Sequence, residues 1–217
     1  MKKSALILTN IYPKTNAAKS NFEIAGKHLI NHVIDAVNPF VDEIVIVTDS
    51  EENAKLYSKV VKPNFQIIFD KNSTSFTSSF LAGLETIQGE YTIVLPSNAP
   101  FISKDIISLL FELSIGKNAV IPRKPDMSAE AFFAVYNTEQ LIAAIRTSLS
   151  QDTFDMYSVL DELRGIRYIS SIVFKQLDSD FKSFFTVNTP TDLKKAEAML
   201  RPKPTKNRSK PNKTRKR

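Results

Sequence analysis

The stretch ALILTNIYPKTNAAKSNFEIAGKHLI, from Ala5 to Ile30, contains the features that decide the fold. Its apolar start, Ala5 to Leu8, is typical of a strand that is buried on both faces. A polar segment containing Lys19 follows, and then a turn at Gly26 and the start of a helix. A strand, a loop and a helix in this order are typical of a phosphate-binding site, but such loops normally contain glycine, and here none precedes Gly26. The stretch therefore raises the question whether a nucleotide site has changed its chemistry or lost it.

Composition and length bound the class of protein that this sequence encodes. The chain has 217 residues, of which 42% are hydrophobic and 24% are charged, as in an ordinary globular domain with a sizeable core. The absence of cysteine from the sequence excludes disulfides and thiolate metal sites. No apolar run approaches the ~18 residues of a membrane-spanning helix, and the apolar block after the basic start is too short for a signal peptide. We therefore expect a cytoplasmic protein with no membrane partner.

The net charge of +6 comes from the end of the sequence. The segment RPKPTKNRSKPNKTRKR, residues 201–217, contains nine of the 29 Lys and Arg residues and no acidic residue. The other 20 basic residues are outnumbered by 23 acidic ones, so residues 1–200 carry a charge of about −3. Three prolines and no large apolar side chain predict that 201–217 is a disordered basic tail. Such a tail is either a solvated end or an arm that binds nucleic acid or another polyanion.

Strand and helix signals alternate along residues 1–200. The predicted strands that follow the first are short apolar runs, and they lie at 43–48, 65–70, 91–96, 118–122, 131–136, 166–170 and 184–187. Helical patterns separate most of them. The alternation predicts one α/β domain with an open, mostly parallel twisted sheet, in which the first four strands are parallel.

Polar residues follow several of the predicted strands. These residues, at the ends of five strands, are Thr9 and Asn10, Thr48 and Asp49, Asp70, Asn98 and Asn188. Right-handed crossovers place the carboxyl ends of parallel strands on one edge of the sheet, where ligands bind in such folds. Helix caps and turns favour the same residue types, so each position alone also has a purely structural explanation. Together they predict a binding cleft along this edge.

Five segments carry a resemblance to a known family. They are KSNFEIAGKHLI at 19–30, SFLAGL at 79–84, SNAPF at 97–101, EAFFAVY at 130–136 and TVNTPTDL at 186–193. In order and spacing they resemble the motifs of MobA-like nucleotidyltransferases, the molybdenum cofactor guanylyltransferase family. The resemblance spans about residues 4–198. It implies a Rossmann-like, three-layer nucleotidyltransferase fold.

The sequence departs from the family pattern at positions that bear on the chemistry. Asn10 and Ile11 stand where the family has a glycine pair, and a β-branched residue resists the positive φ that glycine adopts there. Asn98 stands where the family has a metal-binding aspartate, which removes a charge that Mg²⁺ prefers. Phe80 replaces proline and is expected to crowd the pocket for the base. Lys19 is retained.

The resemblance also implies roles for individual residues. Lys19 would be catalytic, neutralising charge on the phosphates, and Asn98 and Asn188 would hold Mg²⁺. The nucleotide would contact residues of the strand ends and the loop, namely Leu8, Thr9, Asn10, Lys19, Thr48, Asp70 and Asn98. GTP or another NTP would donate its nucleotidyl group to a phosphorylated small-molecule acceptor, molybdopterin in this family, with release of pyrophosphate.

Three classes of function remain open from the sequence alone. A divergent nucleotidyltransferase with reduced activity is favoured by the order of the five motifs. A catalytically inactive relative that binds a nucleotide or a partner is favoured by the missing glycines and the missing aspartate. A polyanion-binding protein on an inert α/β scaffold would use its basic tail.

Overall fold

A seven-stranded sheet forms the centre of the molecule, in the strand order β5-β4-β1-β6-β8-β7-β9. The computed structural model describes residues 1–9, 22–70, 76–150 and 155–201. The sheet strands are β1 Lys3–Leu8, β4 Glu43–Val47, β5 Gln66–Ile68, β6 Tyr91–Pro96, β7 Ala119–Pro122, β8 Ala134–Asn137 and β9 Ile166–Ile169. A separate hairpin pairs β2 Glu23–Ile24 with β3 Lys27–His28.

Eight helices connect the strands of the described chain. They are α1 Leu29–Val37, α2 Glu51–Val60, α3 Phe76–Thr86, α4 Lys104–Ser114, α5 Thr138–Ser150, α6 Met156–Glu162, α7 Ser171–Leu177 and α8 Pro190–Leu200. Local sequence fixes several of their starts: the Ser50 hydroxyl caps α2 by accepting from the Asn53 N–H at 3.3 Å. In the described part of the chain, no helix is both long and apolar enough to cross a membrane.

The sheet reverses its winding direction beside β1. From β1 the chain moves outward to β4 and β5, and then returns to β6 on the other side of β1. These four strands are mutually parallel, which confirms the prediction for the first four strands of the sheet. Strand β8 is antiparallel to both of its neighbours. The carboxyl ends of β1 and β6 therefore flank a topological switch point, where ligands bind in open α/β sheets.

Both faces of the sheet are covered. Alternate side chains of β1 enter two different cores: Ala5 and Ile7 pack in one cluster with α1 and α4, and Leu6 and Leu8 in another with α3 and α5. Strand β4 divides its residues between the two clusters in the same way. The near-continuous apolar runs of these strands are thus explained by burial on both faces, and the predicted three-layer α/β architecture is confirmed.

The predicted strand at 184–187 is wrong. A short 3-10 helix, Lys182–Phe184, covers its start, and the Val187 N–H then donates to the Asn98 carbonyl at 2.9 Å without joining the sheet. The segment is apolar because of packing: the Phe184 ring contacts the rings of Phe133 and Phe174, each at 5.4 Å between centroids. An apolar run of this length satisfies the strand pattern equally well.

Some predictions concern residues outside the described ranges. The loop with Asn10 and Lys19 lies there, and so do residues 202–217 of the basic tail. Their predicted roles, and the division into a domain at 1–200 and a tail at 201–217, stay predictions.

We expect the Gly83→Ala substitution to destabilise the protein by about 1–2 kcal/mol. Gly83 lies on α3 where the helix meets β4, and a Cβ there would stand 2.2 Å from Val47 Cγ2. Overpacking a core typically costs 1–3 kcal/mol, of which the better helix propensity of Ala offsets about 1 kcal/mol. Chemical denaturation of Gly83→Ala, of Val47→Ala and of the double variant measures the coupling free energy between the two substitutions. Additive effects in this cycle would contradict the steric explanation, because removing the Val47 methyls should relieve the clash.

Candidate functional site

The floor of the cleft is formed where β1 and β6 end. The Thr9 N–H and hydroxyl both donate to the Val47 carbonyl, at 2.9 and 3.0 Å, and the Ser97 N–H donates to the Leu8 carbonyl at 2.9 Å. These bonds extend the parallel ladders by one residue beyond each strand. Leu8 and Thr9 are fully buried, as is Thr48 at the end of β4. The side chains of these three residues, which are predicted to contact the nucleotide, therefore lie below the surface at this edge of the sheet.

Asp70 lies at the outer end of the same edge, after β5. Its backbone N–H donates to the Ser79 hydroxyl at 3.1 Å, which ties the end of β5 to α3. Phe80, the next residue of α3, is completely buried in the cluster that contains Leu6 and Val47. The expectation that Phe80 crowds the cleft is therefore wrong, because its ring faces the sheet and fills the core.

Asn98 and Asn188 form a direct pair at the switch point. The Asn98 side-chain N–H₂ donates to Asn188 Oδ1 at 2.9 Å and to the Val187 carbonyl at 3.0 Å. The Val187 carbonyl can only accept, so the orientation of the Asn98 amide is set by its partners. Asn188 Nδ2 in turn contacts the Thr186 hydroxyl at 3.0 Å. Two residues 90 positions apart in the chain are thereby held side by side.

The start of α8 holds the backbone of Asn188. Asp192 Oδ2 accepts hydrogen bonds from the Asn188 N–H, the Thr189 N–H and the Thr189 hydroxyl, at 3.2, 3.1 and 2.9 Å. The Thr189 hydroxyl accepts from the Asp192 N–H at 3.1 Å and completes a capping box. Pro190 occupies the first helical turn, where its missing N–H costs nothing. The carboxylate of Asp192 thus already accepts the hydrogen bonds that cap α8.

The Asn98–Asn188 pair, as arranged, does not fit a metal ion. The atom between the two residues is a donor nitrogen, whereas Mg²⁺ requires oxygen ligands there. Within the ranges that the structure describes, no cluster of three or more His, Asp or Glu side chains could hold a metal. The metal-ligand role of Asn98 and Asn188 stays a prediction that requires the pair to rearrange.

A buried tyrosine that sequence reasoning missed lies under this cleft. Tyr57 projects from α2, is 3% exposed, and places its hydroxyl near the side chains of Ser97 and Thr9. Its hydroxyl thus lies near the residues that follow β6 and β1. Burial raises the pKa of Tyr57 to about 12, and the nearby Asp49 charge acts in the same direction. The signal in the sequence was the spacing of Ala54 and Tyr57 on one apolar face of α2, which indicated only a core position.

We expect Tyr57→Phe to cost about 1 kcal/mol near pH 8, because the substitution removes a buried hydroxyl that lies near the side chains of Thr9 and Ser97. The folded-state pKa lies above the unfolded value of about 10, so the native state retains this proton longer than the unfolded state. The wild type should therefore lose stability relative to Tyr57→Phe as the pH rises from 10 to 12, by roughly 2 kcal/mol. Melting temperatures across this pH range measure the effect. The control is Tyr157→Phe at an exposed tyrosine; a matching pH response there would contradict the assignment.

The hairpin that follows the predicted phosphate loop packs against the segment that carries Asn188. Ile24 of β2 and Leu29 of α1 form a third apolar cluster with Val187 and with Ala196 of α8. The Leu29 N–H donates to the Phe22 carbonyl at 3.1 Å, which closes the turn around the hairpin. The chain that leaves the loop is thus anchored beside the Asn98–Asn188 pair.

Comparisons with known proteins identify the relatives of this chain. A family model for the MobA-like NTP transferase domain matches residues 14–166. A probable molybdenum cofactor guanylyltransferase from Natranaerobius thermophilus is 28% identical over 186 residues, which cover 84% of this chain and 88% of the relative. A relative of the same name from Methanosarcina mazei is 24% identical over 180 residues, covering 81% of this chain and 80% of its own.

Solved structures share the architecture. Molybdopterin-guanine dinucleotide biosynthesis protein A from Archaeoglobus fulgidus superimposes with a TM-score of 0.73 at 22% identity, covering 90% of this chain and 97% of its own. The 4-diphosphocytidyl-2C-methyl-D-erythritolsynthase from Anaerococcus prevotii gives a TM-score of 0.66 at 17% identity, covering 92% and 98%. At these identities the likeness concerns the fold, and it confirms the predicted Rossmann-like nucleotidyltransferase fold.

Proposed function

Since the chain belongs to the MobA-like NTP transferase family, we propose that it is a nucleotidyltransferase that transfers GMP from GTP to a phosphorylated acceptor such as molybdopterin. The observation that carries the proposal is the position of the Asn98–Asn188 pair. The pair lies at the switch point of the sheet, above the floor that Thr9 and Ser97 close. A nucleotide in this crevice would lie across the carboxyl ends of β1, β4 and β6. Both proposals, the donor and the acceptor, are supported by the names of the curated relatives.

The proposed reaction is a single displacement at phosphorus. An oxygen of the acceptor phosphate forms a bond to the α-phosphorus of GTP, and the bond from that phosphorus to the bridging oxygen of the β-phosphate breaks. Pyrophosphate leaves with the electron pair. Such chemistry depends on positioning and on neutralising charge more than on covalent work by the protein. In this proposal Lys19 neutralises the charge on the phosphates.

The nucleotide contacts proposed for this chain fall into two groups. The strand ends would supply the surface beneath the nucleotide, and the loop and rim would supply direct contacts. The proposed contact residues are Leu8, Thr9, Asn10, Lys19, Thr48, Asp70 and Asn98. Because the side chains of Leu8, Thr9 and Thr48 are buried, the direct contacts are expected from the other four. Slow turnover is expected, since a loop without glycine presents fewer backbone N–H groups to phosphates.

Thermal unfolding with a nucleotide panel tests the proposal. GTP should raise the melting temperature more than ATP, CTP or UTP, since a ligand that binds only the native state adds about 2.7 kcal/mol at 100-fold its dissociation constant. Each nucleotide is added with Mg²⁺ and with chelator. Pyrophosphate release from GTP in the presence of a phosphorylated pterin acceptor then measures transfer. If no nucleotide stabilises the protein, the proposal is wrong. Stabilisation by GTP without any transfer would instead identify a catalytically inactive nucleotide-binding relative.

A further inference from the structure

The two ends of the sheet differ in the chemistry of their surfaces. In the described chain the edge strands are β5 and β9, each paired on one side only. Five of the ten large apolar side chains that are exposed in the described residues lie on α6, β9 and α7, namely Tyr157, Tyr168, Ile172, Val173 and Leu177. None of the ten lies on residues 51–68, which contain α2 and β5 at the other end. Natural proteins keep unpaired edge strands charged or covered, so the β9 end has the composition of a surface that another chain covers.

Helix α7 is the main apolar feature of this end. It packs against α4, which packs against α1, so α7 is the outermost of these three helices on its face of the sheet. Phe174 is its buried side chain, and the Phe174 ring contacts the ring of Phe184. The other three apolar residues of α7 are exposed, and Ile172 exposes 71% of its surface. Helix α7 therefore has a second apolar face, which the described part of its own domain leaves uncovered.

The backbone of β9 presents hydrogen-bonding groups on its outer side. The Ile169 carbonyl accepts from the Arg123 N–H at 2.8 Å, so the odd-numbered residues of β9 direct their backbone groups toward β7. Successive residues of a strand direct their N–H and C=O groups to opposite sides. The backbone groups of Ile166, Tyr168 and Ser170 therefore point away from the sheet. The Ser170 carbonyl already accepts a hydrogen bond in the first turn of α7, whereas the Ser170 N–H stays on the outer side.

A two-fold axis at Tyr168 would pair these outer groups with those of a second copy of the chain. Opposed side chains of an antiparallel pair share one face, so β9 can oppose itself only with a residue at the axis. With Tyr168 there, the two copies of Tyr168 exchange both of their backbone hydrogen bonds, and each Ser170 N–H reaches the carbonyl of the partner's Ile166. With Arg167 there, two guanidinium groups would oppose each other, which is unfavourable. The Tyr168 register also brings the two copies of α7 to the same face of the sheet.

We propose that the β9 end is the interface of a homodimer, in which β9 pairs antiparallel with β9 of a second copy and α7 packs against α7. The two sheets then form one continuous sheet. This interface is independent of the chemistry of the cleft, because it lies at the end of the sheet and not at the switch point.

The area of the surface is sufficient for such a dimer. The apolar side chains of β9 and α7 in the proposed interface are 38–71% exposed. At roughly 150–200 Å² for a large side chain, they present on the order of 300–400 Å² of apolar surface. Each partner of a stable interface buries about 800 Å², of which about 65% is apolar in homodimers. The strand backbone and Tyr157 of α6 supply part of the remainder.

Sedimentation equilibrium of the full chain tests the dimer, and Ser170→Pro tests the strand pairing. Ser170 has φ −63°, which already matches proline, so the substitution removes the outward N–H with little strain. Ser170→Ala is the matched control, because it also loses the hydroxyl that caps α7 but keeps the N–H. We expect the wild-type chain of 24.4 kDa to dimerise. Ser170→Pro should associate about 10-fold to 100-fold more weakly than Ser170→Ala, since the two-fold axis removes the hydrogen bond twice.

Ile172→Glu tests the contact between the two copies of α7. The two-fold axis introduces the carboxylate twice into an apolar contact, so we expect association at least about 100-fold weaker than in the wild type. The control is Leu149→Glu, which places the same charge on an exposed residue of α5, between α3 and α6. It should leave the dissociation constant within about 2-fold of the wild-type value. Melting temperatures show that each variant is folded.

A wild type that stays monomeric up to about 100 µM would overturn the dimer. Equal association of Ser170→Pro and Ser170→Ala would overturn the strand pairing, and equal association of Ile172→Glu and Leu149→Glu would overturn the helix contact. If Ser170→Pro does not fold, Ile172→Glu decides the question, because its side chain is exposed in the monomer. The apolar interface should persist in about 0.5 M NaCl, where exposed charges are screened. A dimer that dissociates in this salt would be held by charges, such as those of residues 201–217, and would also overturn the proposal.

Discussion

The Asn98→Asp variant is expected to unfold at a lower temperature than the wild type in chelator, and to regain stability when Mg²⁺ is added. In the wild type the Asn98 N–H₂ group satisfies two oxygen acceptors, Asn188 Oδ1 and the Val187 carbonyl. Aspartate would place an oxygen against both. Two lost hydrogen bonds and the repulsion between oxygens should cost about 2–3 kcal/mol, or roughly 5–10 °C in melting temperature for a domain of this size.

A cation between the new carboxylate and Asn188 would remove that repulsion. At an effective dielectric near 20, one unit charge ~4 Å from another is worth roughly 4 kcal/mol per unit of ion charge before desolvation. We therefore expect Mg²⁺-dependent nucleotide affinity in Asn98→Asp to rise by about 1–2 kcal/mol, which corresponds to roughly 5-fold to 30-fold. Calorimetric titration of GTP and CTP into both proteins, with Mg²⁺ and with chelator, measures this gain.

The control for this prediction is Asn98→Ala. It also loses both hydrogen bonds, but it adds no charge, so it should be destabilised without any response to Mg²⁺. Equal, metal-independent affinities in the wild type and Asn98→Asp would show that a carboxylate alone does not restore a metal site. That result would favour a relative that binds nucleotide without catalysing transfer.

The second large effect is expected for Lys19→Met, in the rate of nucleotidyl transfer. Removing one group that stabilises developing charge typically lowers kcat by about 10²-fold to 10³-fold. The methionine side chain has similar length and no charge, so the loss would be electrostatic. Single-turnover rates of pyrophosphate release, measured at saturating GTP, separate this effect from weaker binding. Lys62→Met is the control, because Lys62 is exposed just before β5, at the opposite edge of the sheet. Similar rates in the two variants would show that Lys19 is not a catalytic residue.

The fold could be predicted because the physical cause of each strand is local. A strand that is buried on both faces must be apolar throughout, and the runs at 44–47 and 91–95 have that composition. The run at 184–187 has it as well, but it packs its aromatic rings around the sheet edge without joining a ladder. The composition of a segment indicates that the segment is buried. It does not indicate which neighbouring segment forms hydrogen bonds with its backbone.

The cleft was less predictable than the fold. The sequence predicts Asn98 and Asn188 at strand ends, which is correct for Asn98 after β6 and wrong for Asn188, since no strand precedes it. The direction of the Asn98 amide depends on the Val187 carbonyl, a backbone atom with no signature in sequence. Tyr57 was missed because a tyrosine on the apolar face of a helix resembles any other core residue. Its role depends on the hydroxyls of Thr9 and Ser97, which only the packed sheet brings together.

The third apolar cluster has a consequence for the order of folding. It joins Ile24, near the start of the chain, to Val187 and to Ala196 of the last helix. All strands of the sheet are synthesised before α8, since the chain is made from its N-terminus at about 5–20 residues per second. The Asn98–Asn188 pair cannot form until α8 has been made and has docked. The segment that completes the proposed nucleotide site is therefore the last part of the domain to be synthesised, and a chain that ends before α8 would lack the helix cap that holds Asn188.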